Sequence, residues 1–378
     1  MRVAFFSDTY HPSLDGVVRS VDSFSDGLRA ARHRVKIFAP APAQPREREE
    51  GVAYAPSISF PAYPQYRIPL HEEGLVREAQ AFAPDLIHSH AMVKMGLAAR
   101  RAAAKTNVPL VGTFHTLVPQ AAHYIMPIAH LEGWTGRRMW DYLRWFYGPF
   151  DHLLAPSRFL ARTLREEGLE AEVLPNPVNT EFFKPGRMKK EKSGPPGAKK
   201  SRPQTVLFVG RMAKEKNLDF LLELAALKEW KEWGAQLVLA GDGPYRETLE
   251  ERAERLRLQS HVRFLGRVAD SRLPALYRSA SCTIQPSLFE TQGLTVLESM
   301  ACGTPAAVRK GTAMAEVVHP GKSGEQFEDD SLQALEVVRK LCERRAKYAK
   351  GSREVAQAHS IPSCTARLLR IYKNVLGS

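Results

Sequence analysis

Short runs of β-branched and aromatic residues alternate with stretches whose apolar residues recur every three or four positions, and this happens in both halves of the chain. Runs this short read as strands, and the longer stretches between them read as helices that carry the chain back over the sheet. Strands buried on both faces by such crossovers form parallel sheets, so the pattern predicts α/β architecture with helices on either side of the sheet. In the first half the predicted strands are Val3 to Phe6, Val35 to Phe38, Asp85 to His88, Leu110 to Thr113 and Leu153 to Ala155. A helix after Gly16 carries Val17, Val21, Phe24 and Leu28 on one face. In the second half the strands are Thr205 to Val209, Gln236 to Ala240, Val262 to Leu265, Cys282 to Ile284 and Ala306 to Val308. Asn217 is read as the cap of a helix with Leu218, Leu221, Leu222 and Ala225 inward.

At 378 residues there is room for two domains of ordinary size. Their predicted limits are 1–178 and 204–359. Residues 179–203, dominated by KPGRMKKEKSGPPGAKKSRPQ, read as a basic solvated linker or loop, and a closing helix over Leu368 to Leu376, within 360–378, is placed to fold back across the boundary onto the first domain. A content of 44% hydrophobic and 25% charged residues suits a globular protein. No apolar run is long enough to span a bilayer, and the apolar start is too short for a secretory signal, so the chain is expected in the cytosol. The four cysteines, Cys282, Cys302, Cys342 and Cys364, are scattered and read as buried thiols, without a zinc or disulfide pattern. A net charge of +13 implies attraction to polyanions: nucleic acid, an anionic membrane surface, or phosphates on a ligand.

The stretch Gln285 to Ala306, QPSLFETQGLTVLESMACGTPA, carries the strongest chemical signal. Glu290 precedes a turn at Gly293, and Glu298 lies about one turn into the helix that follows. Between them the first backbone N–H groups of that helix, around Gly293 and Leu294, form a natural phosphate site. Carboxylates bind hydroxyls better than phosphates, so the arrangement suits polyol groups on either side of a diphosphate, as in a nucleotide sugar. The turn GRMAKEKN, after the first strand of the second half, adds Arg211 and Lys216, a bidentate and a point cation for a diphosphate. In an open α/β sheet ligands sit at the carboxyl ends of strands. Two further strand-end loops belong there: AGDGPYRETL, with Gly241 and Gly243 and with Pro244 read as the first helical residue, and FLGRV, where backbone groups at Arg267 and Val268 are placed to hold a base edge.

Taken together, GRMAKEKN, AGDGP, VRFLGRV and the Glu–seven residues–Glu segment ending in SMACGTP resemble the family-four retaining glycosyltransferases of the GT-B fold, with PNPVNTEFF, PDLIHSH and GTFHT in the same style. The resemblance implies two Rossmann-like domains facing across a deep cleft. It implies that Arg211 and Lys216 bind the donor diphosphate, that Glu298 binds the ribose hydroxyls, and that Glu290 contacts the transferred sugar. Gly210, Gly241, Gly243, Arg267, Val268, Gln292, Gly293 and Leu294 complete the implied donor site. The first-strand loop SDTYHPSLDGVVRS falls on the acceptor side, with Tyr10 and Asp15, and Gly16 lets the backbone approach the donor phosphate. Many relatives carry two glycines where this chain has Asp15 and Gly16. His115 corresponds to the family's active-site histidine, so that the implied catalytic set is His115, Glu290, Arg211 and Lys216. His88 and His90, at alternate positions, lack a third metal ligand in sequence reach and read as structural.

The chain has no Asp-x-Asp motif. The cations and the helix N-terminus at Gly293 therefore serve as the stabilisers of the leaving diphosphate. No cofactor is required, and a weak dependence on Mg2+ stays open. The family resemblance implies retention of anomeric configuration by front-face attack.

For the acceptor, HLEGWTGRRMWDYLRWFYGPF (130–150) holds three of the five tryptophans beside three arginines. On a helix Trp134, Arg137, Arg138, Asp141, Arg144 and Trp145 share a side, and Met139, Leu143 and Phe146 point toward a core. That aromatic and basic face suits an anionic bilayer surface, and the basic loop from Arg187 to Lys200 adds to it; a core helix with a solvated charged side is the other reading. The wording ETQGLTVLE is similar to bacterial and plastid synthases that glycosylate diacylglycerol. The resulting expectation is transfer of hexose from UDP-glucose or UDP-galactose to a membrane lipid such as diacylglycerol, by a peripheral protein on the inner face of the cell membrane and with no nucleic acid partner. A soluble acceptor, a nucleotide-sugar epimerase on the same fold, and a non-enzymatic basic binding protein are the alternatives.

Overall fold

The computed structural model describes residues 1–13, 15–43, 50–60, 63–115, 132–186 and 203–377. The chain divides into two compact units, Met1–Pro177 together with Ile361–Ser378, and Val178–Ser360.

The first unit runs β1 (Arg2–Phe6), α1 (Gly16–Ala30), β2 (Arg34–Pro40), β3 (Val52–Ala55), β4 (Ser57–Phe60), β5 (Tyr63–Pro69), α2 (Glu73–Phe82), β6 (Leu86–Ser89), α3 (Lys94–Thr106), β7 (Leu110–Thr113), α4 (Glu132–Tyr147), β8 (His152–Ala155), α5 (Arg158–Glu166) and β9 (Glu172–Val173). Its seven-stranded sheet has the order β3-β2-β1-β6-β7-β8-β9, parallel throughout, with β4 and β5 forming a separate antiparallel hairpin. Val3, Ala4, Phe5 and Phe6 have no exposed surface, which is why the central strand is an unbroken apolar run and not an alternating one.

The C-terminal helix, Ile361–Leu376, belongs to this first unit. Cys364, Leu368 and Tyr372 pack with Val21, Phe24 and Leu28 of α1. A Cβ on Gly27 would stand 2.0 Å from Thr365 Oγ1, so the two helices approach where α1 has no side chain. The helix begins at Ile361, well ahead of the predicted Leu368, because Pro362 falls in its first turn, where the missing N–H is not needed.

The second unit runs β10 (Thr205–Val209), α6 (Leu218–Ala226), α7 (Lys228–Trp233), β11 (Gln236–Ala240), α8 (Arg246–Arg255), β12 (Val262–Gly266), α9 (Leu273–Ser279), β13 (Cys282–Gln285), α10 (Leu294–Ala301), β14 (Ala306–Arg309), β15 (Gly324–Phe327), α11 (Ser331–Glu343) and α12 (Arg345–Ala358). The sheet order is β12-β11-β10-β13-β14-β15, all parallel. Val206, Phe208, Leu237 and Leu239 enter one core, and Leu207, Val209, Val238 and Ala240 enter the other, as the period of two in a strand requires. Cys282 and Cys342, distant in sequence, are brought to an Sγ to Sγ separation of 3.7 Å in the first of these cores.

Three expectations are corrected. Asn217 stands at the start of α6 in the left-handed region, φ 53°, and its side chain does not cap the helix. Pro244 lies in the turn before α8, which begins at Arg246. Residues 179–183, grouped with the linker by composition, are folded onto the second unit. Val178 N–H donates to His359 O at 2.9 Å, and Arg353 donates to the carbonyls of Thr180 and Phe183 at 3.0 Å each. Residues 187–202 of the predicted linker lie outside the described residues.

Candidate active site

The strand order of the second unit reverses between β10 and β13, and the loops leaving their carboxyl ends are GRMAKEKN and PSLFETQG. Backbone bonds join the neighbouring loops. Gly210 N–H donates to Ala240 O at 3.0 Å, Met212 N–H to Asp242 O at 2.9 Å, and Gly241 N–H to Gly266 O at 2.8 Å. A Cβ on Gly241 would come within 1.8 Å of Gly210 O, and one on Gly243 within 2.3 Å of Met212 O. These two glycines are thus needed for backbone to pack on backbone.

Lys216 Nζ donates to Glu290 Oε1 at 2.5 Å, with the two side chains 16% and 21% exposed. Arg211 donates to Glu215 Oε1 at 2.6 Å, and Glu215 O in turn accepts from Leu288 N–H at 3.1 Å, tying the cationic loop to the acidic one. Gln285 Nε2 clamps the same junction from below, donating to Val209 O at 2.9 Å and Thr295 Oγ1 at 3.1 Å. Gly293, at φ +88°, starts α10 with its carbonyl accepting from Val296 and Leu297, and Gln292 beside it is buried. Glu298, buried on α10, accepts a hydrogen bond from Tyr277 Oη at 2.8 Å. The structure therefore brings Lys216 against Glu290, holds Arg211 in the same loop pair, and directs one oxygen of Glu298 to Tyr277. Arg267 is exposed after β12, while Val268 and Leu294 lie half-buried against the core. Ser287, which sequence reasoning missed, sits fully buried in the acidic loop with no partner for its hydroxyl among the described residues. Its position inside PSLFE was the only signal.

In the first unit the order reverses between β1 and β6. Asp8, just after β1, accepts from the N–H groups of Met92, Val93 and Met95 at 2.8, 2.9 and 3.0 Å, fixing the entry to α3. Burial pushes its pKa up, against the lowering effect of those three bonds. His115 follows β7 and is buried; its Nε2 lies 2.9 Å from His90 Nδ1. His88 bridges Tyr372 Oη at 2.6 Å and Thr113 Oγ1 at 2.7 Å. Burial lowers the pKa of His88 and of His115 to about 3, and that of His90 well below its ordinary value. All three imidazoles are neutral at physiological pH.

Asp15, expected on the acceptor side, is the cap of α1. Its Oδ1 accepts from Val17 and Val18 N–H at 2.9 Å, so the first donors of α1 are already engaged beside Gly16. Tyr10 lies half-buried against the same core, edge-on to His11.

On α4, Leu143 and Phe146 are fully buried, Met139 is half-buried, and Arg137 and Arg138 are exposed. Arg144 is not a free basic group: it donates to Asp141 Oδ1 at 2.7 Å and to Glu167 O at 2.9 Å. Trp145 is 57% exposed, with the Arg100 guanidinium 4.6 Å from its ring centre. The side chain of Trp134 lies outside the described residues, as does the loop Arg187 to Lys200. No helix among the described residues is long and apolar enough to cross a membrane, and no three His, Cys, Asp or Glu side chains among them are grouped to hold a metal ion.

Two parallel-sheet α/β units, each with its polar groups gathered where the strand order reverses, define the class of GT-B glycosyltransferases. Residues 14–182 match the model for Glycosyltransferase Family 4 and residues 189–355 the model for Glycosyl transferases group 1, and the chain belongs to this family. It is 31% identical over 314 residues to the alpha-monoglucosyldiacylglycerol synthase of Streptococcus pneumoniae, covering 81% of this chain and 70% of that one. It is 29% identical to a GDP-mannose-dependent alpha-mannosyltransferase of Mycolicibacterium smegmatis, covering 100% and 98%. Among solved structures it is similar to sucrose-phosphate synthase from Thermosynechococcus elongatus, with a TM-score of 0.79 at 19% identity, covering 100% and 99%.

Proposed function

We propose that this glycosyltransferase moves a hexose, with retention, from a UDP-sugar to the hydroxyl of a diacylglycerol-type lipid at an anionic membrane surface. The observation that carries the donor assignment is the contact of Lys216 with Glu290 where β10 and β13 diverge. A cation for the diphosphate and a carboxylate for the sugar stand together at the place where open α/β sheets bind ligands. Arg211 and the N-terminus of α10 share the phosphate charge, Glu298 takes the ribose hydroxyls, and His115 holds a sugar hydroxyl. In the reaction the bond from the anomeric carbon to the phosphate oxygen breaks as the bond to the acceptor oxygen forms on the same face. The acceptor's proton passes to the departing phosphate, so no separate strong base is needed. Arg211 and Lys216 stabilise the charge that grows on the diphosphate.

The acceptor assignment is supported by similarity to a synthase whose product is a glucosyl diacylglycerol. The membrane reading is supported by the exposed Trp145 and by Arg137 and Arg138 on α4. The mannosyltransferase relative, aligned over the whole chain, favours GDP-mannose as the second donor reading.

The test is a panel of UDP-glucose, UDP-galactose and GDP-mannose against diacylglycerol in anionic vesicles and against soluble sugars, with the anomer of each product read by NMR. An α-hexosyl lipid made from a UDP-sugar is expected. A product with inverted configuration, or transfer to soluble acceptors alone, rejects the reading. In the same assay Glu298→Ala should raise the donor KM about tenfold or more by removing a charged hydrogen-bond acceptor, whereas His115→Ala should act mainly on kcat.

A further inference from the structure

His90 is 4% exposed, and its two ring nitrogens differ: Nδ1 lies 2.9 Å from His115 Nε2, while Nε2 has no partner among the described residues. The ring is held between neighbours, stacked on His88 at 4.2 Å between centroids and met edge-on by Phe5 at 4.8 Å. His115 lies nearly parallel to it, at 25°. Both imidazoles are neutral, so each carries one proton and one hydrogen joins them.

Two arrangements satisfy that contact. In one, His115 donates from Nε2, and His90 must carry its own proton on the unpartnered Nε2. In the other, His90 donates from Nδ1, its Nε2 is a bare lone pair, and His115 carries its proton on Nδ1. The first leaves a buried N–H without an acceptor, the second a buried acceptor without a donor. Orphaned buried N–H groups are the rarer of the two in native proteins.

We infer that His90 is a positioning residue for His115: by donating Nδ1–H to His115 Nε2 it fixes His115 as the Nδ1–H tautomer, so that His115 offers a ligand hydroxyl a donor and not a lone pair. This rests on the reading of His115 as a sugar contact. The ligand atom it meets must then be an oxygen that accepts. His88, bonded to Tyr372 and Thr113, supports the stack without joining the proton arrangement.

The test uses the full chain labelled with 15N-histidine. Two-bond 1H–15N correlations distinguish Nδ1–H from Nε2–H imidazoles, and His115 is assigned by its loss in His115→Gln. His115 is expected as Nδ1–H in the unsubstituted protein and in His90→Asn, whose amide N–H reaches the place of Nδ1–H. In His90→Phe, which lacks that donor, the contact no longer fixes the tautomer and a population of the Nε2–H form of His115 should appear. In parallel, kcat for hexose transfer should fall about tenfold in His90→Phe, the scale of one lost hydrogen bond, and recover to within about threefold in His90→Asn, with the lipid KM unchanged. Finding His115 as Nε2–H in the unsubstituted protein or in His90→Asn overturns the inference, even where His90→Phe does not fold. So does an unaltered His115 signal in a folded His90→Phe. Full transfer by His115→Gln instead removes the sugar contact itself, which separates that failure from a wrong proton position.

Discussion

The contact between Lys216 and Glu290 sets two charges in competition with the ligand proposed for them. Their atoms are 2.5 Å apart and their side chains are mostly shielded from water. At that separation, with an effective dielectric of about 20, unit charges attract by roughly 7 kcal/mol, and the loss of hydration offsets most of it. A double-mutant cycle of Glu290→Gln and Lys216→Met should therefore give a coupling of about 1–3 kcal/mol, above the ~0.2–1 kcal/mol of exposed pairs. Urea unfolding followed by fluorescence reports it, since Trp230 is fully buried in the same unit. A nucleoside diphosphate must take Lys216 from Glu290. Glu290→Gln removes the competitor, so calorimetry with UDP and GDP should show binding tightened by about three- to tenfold for the nucleotide the site accepts. Transfer by the same variant should drop by about a hundredfold or more, because the carboxylate no longer faces the positive charge developing on the sugar. A coupling below about 0.3 kcal/mol, or a diphosphate affinity that falls in Glu290→Gln, refutes the reasoning.

Gly241→Ala should force the loops after β10 and β11 apart, since its Cβ would lie 1.8 Å from Gly210 O. Calorimetric melting should show a loss of about 1–3 kcal/mol, while Gly74→Ala, with nothing within 4 Å, should show none. The buried histidines predict a pH dependence. His88 and His115, with folded pKa values lowered to about 3, stabilise the fold fully above the unfolded value near 6.5 and lose that contribution as pH falls from there toward 3. Replacing His88 by Gln should flatten the fall in melting temperature between about pH 6.5 and 4, and an unchanged slope would contradict the assignment. Sedimentation with anionic liposomes should decline as salt rises and drop further in Arg137→Glu with Arg138→Glu, whereas Arg144→Ala should matter less because Asp141 and Glu167 already hold it. Equal binding by the unsubstituted protein and both variants would remove α4 from the docking face.

Most of the ten strands read from sequence were legible because both faces are covered, which leaves unbroken apolar runs such as VAFF and VLFV; β12, an edge strand with Arg263 exposed, is the exception. Those missed lack that signature. β3, at the edge of its sheet, alternates in burial; β4 and β5 pair only with each other, outside the main sheet; β9 is two residues long; and β15, GEQF, carries polar side chains with tertiary partners, Glu325 bonding to Tyr348 and Gln326 to Ala315 O. In the candidate site, residue types and spacing located Lys216 and Glu290. The cap role of Asp15, directly ahead of the helix, was open to local reading and passed over, whereas nothing local could have shown that Arg144 is held by a residue beyond α5. The histidines show the same limit. His88 and His90 looked alike in sequence, yet one meets Tyr372 near the far end of the chain and the other meets His115.

The return of the last helix to the first unit has a consequence for synthesis. Folding of nascent chains generally proceeds from the N-terminus, but here the apolar face of α1 waits for Cys364, Leu368 and Tyr372, which leave the ribosome only after the whole second unit. Residues 178–360 hold all the strands of their own sheet and can be finished first. Removal of the helix Ile361–Leu376 would thus be felt far upstream, as a solubility defect of the half translated earliest.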